Sequence, residues 1–154
     1  MKNKPYILPK VAVAQFCEEN GFYTTEQRSY NMSRIRSKGT KPELLLKKAL
    51  WQVGVRYKTP KKPLPGKPDI SLKKYKLVIF VDGAFWHGYD WVNRKNAIKS
   101  NREFWIAKIE RNMQRDQEVN AIYQAKGWRV LRFWDFEVKG ELGICLRKVL
   151  SILN

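Results

Sequence analysis

Three of the chain's acidic side chains stand where a divalent ion could be held. The run Pro65-Gly66-Lys67-Pro68-Asp69 delivers a carboxylate to the entrance of an apolar strand, directly after a basic loop. A second acid closes the run Ile79-Phe80-Val81-Asp82-Gly83, and a third, Glu43, opens a core helix. Magnesium takes one or two carboxylates and completes its shell with water and substrate phosphate. Such an ion generates hydroxide and stabilises a leaving oxygen, the requirements of phosphodiester hydrolysis. Glu43 also suits helix capping and Asp82 before Gly83 suits a turn. Asp69 has no such structural duty and is the strongest metal ligand of the three.

The sole histidine, His87, follows Phe85-Trp86 a few positions beyond the second acidic strand end. An imidazole titrating near neutrality can activate water. Farther on, Trp105, Ile109, Asn112 and Asp116 recur at i, i+4, i+7 and i+11, which places them on one helical face. That face changes from packing residues to polar ones. Asp116 at its polar end can bond a histidine and fix its tautomer; an ion pair of Arg111 or Arg115 with its neighbours is the structural alternative.

The surroundings of these acids are strongly basic. Thirty-one Lys and Arg face fourteen Asp and Glu, a formal charge of +17. Between Arg28 and Pro68 the only acid is Glu43. Such a surface binds polyphosphates by releasing condensed counterions and steers them at long range. Nucleic acid is therefore the expected partner. No apolar run approaches the roughly 20 residues that span a bilayer, and Met1 to Lys10 lacks a signal-peptide core, so a cytoplasmic location is expected. Two widely separated cysteines, Cys17 and Cys145, make neither a disulfide framework nor a CxxC zinc site.

The elements that must position these residues can be read from the pattern. A short helix ending at Gly21 and another helix or ordered arm over 28–36 are expected. Thr40-Lys41-Pro42-Glu43 predicts a helix start with Thr40 as N-cap and Glu43 closing a capping box, and Gly54 predicts its end. Residues 55–58 suggest a short strand, 69–72 and 75–82 two strands joined by a tight turn at Lys73-Lys74, and 128–134 a further strand. Long and short helices are expected over 102–126 and 141–153, and 83–101 reads as irregular. The sum is a mixed α/β fold with a central sheet flanked by helices, in one domain over 28–154 preceded by an extension, 1–27.

With these elements in place, the chain resembles the very-short-patch repair (Vsr) DNA mismatch endonucleases. The resemblance rests on Arg28-Ser29-Tyr30-Asn31-Met32, Pro65-Gly66-Lys67-Pro68-Asp69, the run Val78 to His87, Glu103 to Ile109, Arg115-Asp116 and Gly127-Trp128-Arg129-Val130-Leu131. It implies a restriction-endonuclease-like fold of the PD-(D/E)xK type and magnesium-dependent nicking of one DNA strand beside a T:G mismatch. By position it implies Asp69 and the Val81 carbonyl as metal ligands, His87 as the catalytic histidine, Asp116 as its orienting acid and Glu43 as an assisting glutamate. Phe85, Trp86 and Trp105 match an aromatic wedge that enters the duplex, where insertion costs least at a mismatch. Met32 matches an arm closing over the opposite groove. Lys108 and Asn112 join the DNA-contacting set, with Arg28, Arg34 and Lys67 on phosphates.

Two departures from the family pattern stand out. Asp82 replaces the family's usual histidine; an acid there can bind metal or place metal-bound water, but brings no imidazole. The family's structural zinc positions fall on Ala84, Tyr89, Trp91 and Phe136, so packing is expected in place of zinc. The expected protein is a monomeric, metal-dependent endonuclease on double-stranded DNA. A restriction-type or structure-specific nuclease of the same fold, or a DNA-binding module without catalysis, are the alternatives.

Overall fold

The computed structural model describes residues 9–57 and 62–154. Among the described residues, and 3-10 turns aside, the helices and strands follow in order: α1 (Glu26–Ser33), α2 (Lys41–Gln52), β1 (Ile70–Leu72), β2 (Leu77–Asp82), α3 (Trp91–Arg94), α4 (Arg102–Ala125), β3 (Arg129–Trp134), α5 (Asp135–Gly140) and α6 (Leu142–Leu153). The sheet has the order β1-β2-β3, with β1 antiparallel and β3 parallel to the central β2. It is a mixed α/β fold in which helices flank a small three-stranded sheet.

Strand alternation divides the interior into two layers. Leu77, Ile79 and Phe133 pack with Ile70 and Leu72 against Leu46 and Leu50 of α2, Val138 of α5, and Cys145 and Val149 of α6. Val78 and Phe80 face the other way, onto Val119 and Tyr123 of α4. Each large apolar side chain so buried contributes roughly 1.5–3 kcal/mol. The same alternation puts Asp82 on the α4 side, in line with Phe80. In the parallel pairing Arg132 of β3 lies opposite Phe80.

Several local expectations are corrected. The N-terminal segment has no regular secondary structure from Val11 to Gln15; the short helix expected to end at left-handed Gly21 does end there, but is only a 3-10 turn over Glu18–Asn20. Its polar anchors lie on α4: Gln114 accepts from the Val11 amide at 2.8 Å and donates to the Pro9 carbonyl at 3.0 Å. Asn101 makes the same paired contact with the Tyr23 backbone, at 3.0 and 2.7 Å. Phe16 and Phe22 meet Phe104 at centroid distances of 4.9 and 5.4 Å.

The capping box at α2 does not form. The Thr40 side chain makes no cap bond, and Glu43 accepts instead from the Gly39 amide at 2.9 Å. The Lys73-Lys74 turn is a 3-10 turn over Lys73–Tyr75 completed by left-handed Lys76. Val55 to Tyr57 are not a strand, and Lys58 lies outside the described residues. No helix among the described residues is long and apolar enough to cross a membrane. Cys17 and Cys145 are both free.

Candidate active site

Asp69 enters the sheet one residue before β1, and its amide donates to the Ile79 carbonyl at 3.0 Å, extending the hairpin by one rung. Its Oδ2 accepts a 2.6 Å bond from the Val81 amide. This contact joins the strand entrance to the end of β2. Burial pushes the Asp69 carboxyl up to about 6; the negative charge of Glu43 adds to this, against the Val81 bond and the charge of Lys47. Glu43 is itself buried on α2. Burial alone would raise its carboxyl too, but the 2.7 Å bond and charge of Lys47, with the Gly39 amide, bring it below the usual range.

The second group of acids lies across β2. Asp82 is 5% exposed, and its two oxygens take 3.2 and 3.1 Å bonds from Nη1 of Arg132. His87 Nδ1 lies 2.6 Å from Asp116 Oδ2 and 3.8 Å from Asp82 Oδ1. Arg132 Nη1 is also 3.5 Å from Asp116 Oδ1. Burial raises the Asp82 carboxyl, and the opposing charges of His87 and Arg132 reduce the rise without cancelling it. For His87, burial pulls the imidazole down, yet the bond to Asp116 and the charges of Asp82 and Asp116 outweigh it and leave the pKa raised.

The loop that carries His87 is fixed at both ends. The His87 amide donates to the Gly83 carbonyl at 3.1 Å, and Asn112 of α4 holds the Trp86 carbonyl at 2.9 Å. Asn112 thus acts through backbone on the loop, besides lining the cleft below it. Above the loop, Phe85, Trp86 and Trp105 form a mutual edge-on trio with centroids 5.3 to 5.6 Å apart. Phe85 is 44% exposed.

Two clefts, of about 550 and 380 Å³, share Lys38, Lys67 and Asp69 along their common border. Glu43 and Lys47 line the first; Asp82, His87, Asp116 and Arg132 line the second. The structure thus brings Asp69, Glu43, Val81, His87, Asp116 and Lys67 to one region. Asp82 reaches it through the second cleft, engaged by Arg132. The His87, Asp82 and Asp116 atoms able to ligate a metal converge within 4.8 Å of one another, a group that does not include Asp69. Lys108 is a half-buried residue of α4. Arg28, Met32 and Arg34 are exposed on or just after α1, and none of them lines either cleft. Arg34 instead bonds the Tyr30 hydroxyl at 2.6 Å.

At the positions matched to zinc ligands, Tyr89 packs edge-on against Trp134 at 5.3 Å and Phe136 at 4.7 Å. The Trp91 indole donates to Glu110 at 3.2 Å. Arg132, Arg115, Lys38 and Lys47 are the site residues that sequence reasoning did not single out. The signal for Arg132 was available: an arginine alternating in register with Val130 and Trp134 falls on the α4 face of β3, where a cation needs an acid.

Comparison with known proteins gives consistent relatives. The family described as "DNA mismatch endonuclease Vsr" matches residues 20–93. The Type II nicking enzyme V.NmeDIP of Neisseria meningitidis serogroup C is 56% identical over 126 residues, 82% of this chain and 85% of that one. The Type II nicking enzyme V.HpaIIP of Haemophilus parainfluenzae is 53% identical over 75% of this chain and 82% of its own length. The DNA mismatch endonuclease Vsr of Escherichia coli (strain K12) is 35% identical over 73% of this chain and 72% of its own.

Proposed function

The chain belongs to the Vsr family of DNA mismatch endonucleases, and from that premise we propose that it nicks one strand of duplex DNA beside a T:G mismatch. Strand-nicking endonuclease activity comes with the family; the mismatch is the step added here. One observation carries the reading. Asp69, His87 and Asp116 line a single cleft with Lys38, Lys67 and Arg115, so an acid for a metal, a base with its orienting partner and cations for a phosphate share one wall.

The donor set fits a divalent cation. Asp69 is a half-buried carboxylate beside a second acid, and the end of β2 brings the Val81 backbone against it. Hard oxygen ligands of this kind suit magnesium. Asp69 and the Val81 carbonyl would hold the ion, with Glu43 behind Asp69. When bound, the ion polarises the scissile phosphate and acidifies water. His87 takes the proton from the attacking water, and Asp116 on Nδ1 leaves Nε2 as the basic nitrogen. Lys38, Lys67 and Arg115 hold phosphate oxygens. Phe85, Trp86 and Trp105 stack into the opened base step, and the arm carrying Arg28, Met32 and Arg34 closes from the other side.

The sheet is read as restriction-endonuclease-like, with residues 28–154 as a cytoplasmic, monomeric nuclease domain and 1–27 as an extension, of which Pro9, Val11, Phe16 and Phe22 contact α4. Zinc has no role in this reading; elemental analysis showing stoichiometric zinc would count against it. The test of specificity is a magnesium-dependent nicking assay on duplexes of one sequence carrying each single mismatch. Nicking of one strand concentrated on the T:G duplex is the expected result. Equal cutting of the T:G duplex and its paired control would overturn the mismatch assignment.

A further inference from the structure

The cluster Asp82–His87–Asp116 has the composition of a second metal site, and its ligand atoms lie close enough together to hold one. Its cation requirement is nevertheless met within the chain. Nη1 of Arg132 bonds both oxygens of Asp82 and lies 3.5 Å from Oδ1 of Asp116. The remaining Asp116 oxygen, Oδ2, is taken by His87. All four carboxylate oxygens therefore face a nitrogen donor of the protein.

The guanidinium is held from three further directions. Its Nε donates to Asn120 at 2.8 Å, Nη2 reaches the Asp116 carbonyl at 3.5 Å, and its Cζ lies over the Phe80 ring, 4.1 Å from the centroid. An arginine fixed in this way cannot swing aside without abandoning several bonds and its contact with the Phe80 ring. A dication entering the cluster would sit beside a fixed positive charge and compete for the same oxygens.

We propose that Arg132 takes the place of a second cation in this cluster, excluding a metal from Asp82 and Asp116 and positioning Asp116 for His87. Arg132 is a positioning residue: it acts on the histidine through Asp116 and touches no reacting atom. Asp82 is then the anchor of Arg132, and a divalent ion is held at Asp69 alone. That last statement rests on the functional reading above; the exclusion at Asp82 does not.

The experiment counts Mn²⁺ ions bound per chain by electron paramagnetic resonance titration, on the full chain. Arg132→Gln is expected to bind one more ion than the unaltered protein, and the added ion is expected to disappear in Asp82→Asn/Arg132→Gln. Arg132→Lys, which keeps the charge, is expected to show the unaltered count. An unchanged count in Arg132→Gln overturns the proposal. Should Arg132→Gln fail to fold, Asp82→Asn alone decides: the count is expected to stay as in the unaltered protein, and a lower count places a metal on Asp82 and overturns the proposal. Asp69→Asn separates the two claims. It should lower the count; if it does not, the metal assignment at Asp69 fails while the Arg132 difference is still read.

Discussion

Nδ1 of His87 and Oδ2 of Asp116 lie 2.6 Å apart, a bond between the loop after β2 and the middle of α4. The contact fixes the ring orientation and leaves Nε2 directed away from the acid. Burial lowers the histidine pKa, but this bond and the charges of Asp82 and Asp116 together leave it raised above 6.5. Nicking that needs neutral His87 should therefore rise with pH through a value above 6.5. Asp116→Asn removes the charge and leaves at most a neutral, weaker acceptor for Nδ1, so the acid limb should move to lower pH and the rate fall about 10–100-fold. Single-turnover pH–rate profiles of both proteins check this; a limb that stays or moves upward contradicts the general-base role. In stability terms, a raised histidine pKa contributes fully below 6.5 and is lost as pH rises through the folded value.

Asp69 carries the same sign of linkage in a more acidic window, the reverse of an ordinary ion-paired carboxylate. Its folded carboxyl titrates at about 6 against 3.8 unfolded. The protonated form is favoured in the fold, so ionisation costs stability as pH rises through that window, up to about 3 kcal/mol. Asp69→Asn should raise the melting temperature at pH 7 without divalent ions, by a few degrees, and the gain should vanish near pH 4. Added magnesium should stabilise the unaltered protein and not the variant. Thermal melts over pH 4–8 test both; a variant less stable at pH 7 would mean that the carboxylate is already compensated.

Much of this arrangement was legible in the sequence, and the failures have physical causes. Asp69, Asp82, His87 and Asp116 were identifiable because acids at strand ends and a polar stripe on a helix are local patterns. Glu43 was read as closing a capping box, yet its carboxylate turns to Gly39 and Lys47; a buried acid takes the partners that tertiary packing offers. The helix α5 was missed because it follows β3 with no punctuating glycine or proline, and its register is set by burying Val138. Arg132 escaped notice because its partners come from α4, the end of β2 and the Phe80 ring, none of them near it in sequence.

The wedge makes a separable prediction. Phe85 is exposed and supported from below by Trp86 and Trp105, and Trp105 rests on Phe104 at 5.0 Å. Phe85→Ala should weaken binding to a T:G duplex by about 1–3 kcal/mol, the usual worth of one aromatic–base stack, with little change in melting temperature. Fluorescence anisotropy on mismatched and paired duplexes gives the comparison. An equal loss on both would show that Phe85 does not act at the mismatch.

Gly66 tests the loop that delivers Asp69. Its φ is +71°, and a Cβ there would stand 2.6 Å from Val119 Cγ1 and 3.3 Å from a Phe80 ring carbon. Gly66→Ala should cost about 1–3 kcal/mol through backbone strain and overpacking and should slow nicking, because Val119 and Gly66 line the same cleft as Asp69. Chemical denaturation alongside the nicking rate checks it. Unchanged stability would mean that the loop backbone relaxes freely.

The most direct measurement compares the unaltered chain with Asp69→Ala on one T:G duplex, reading single-turnover nicking in magnesium and duplex affinity in the same buffer. Nicking is expected to fall to background while affinity is retained, because in the proposed mechanism Asp69 holds the ion while the basic residues and aromatic trio hold the DNA. Cleavage that persists in Asp69→Ala, or a loss of affinity that matches the loss of cleavage, would contradict it.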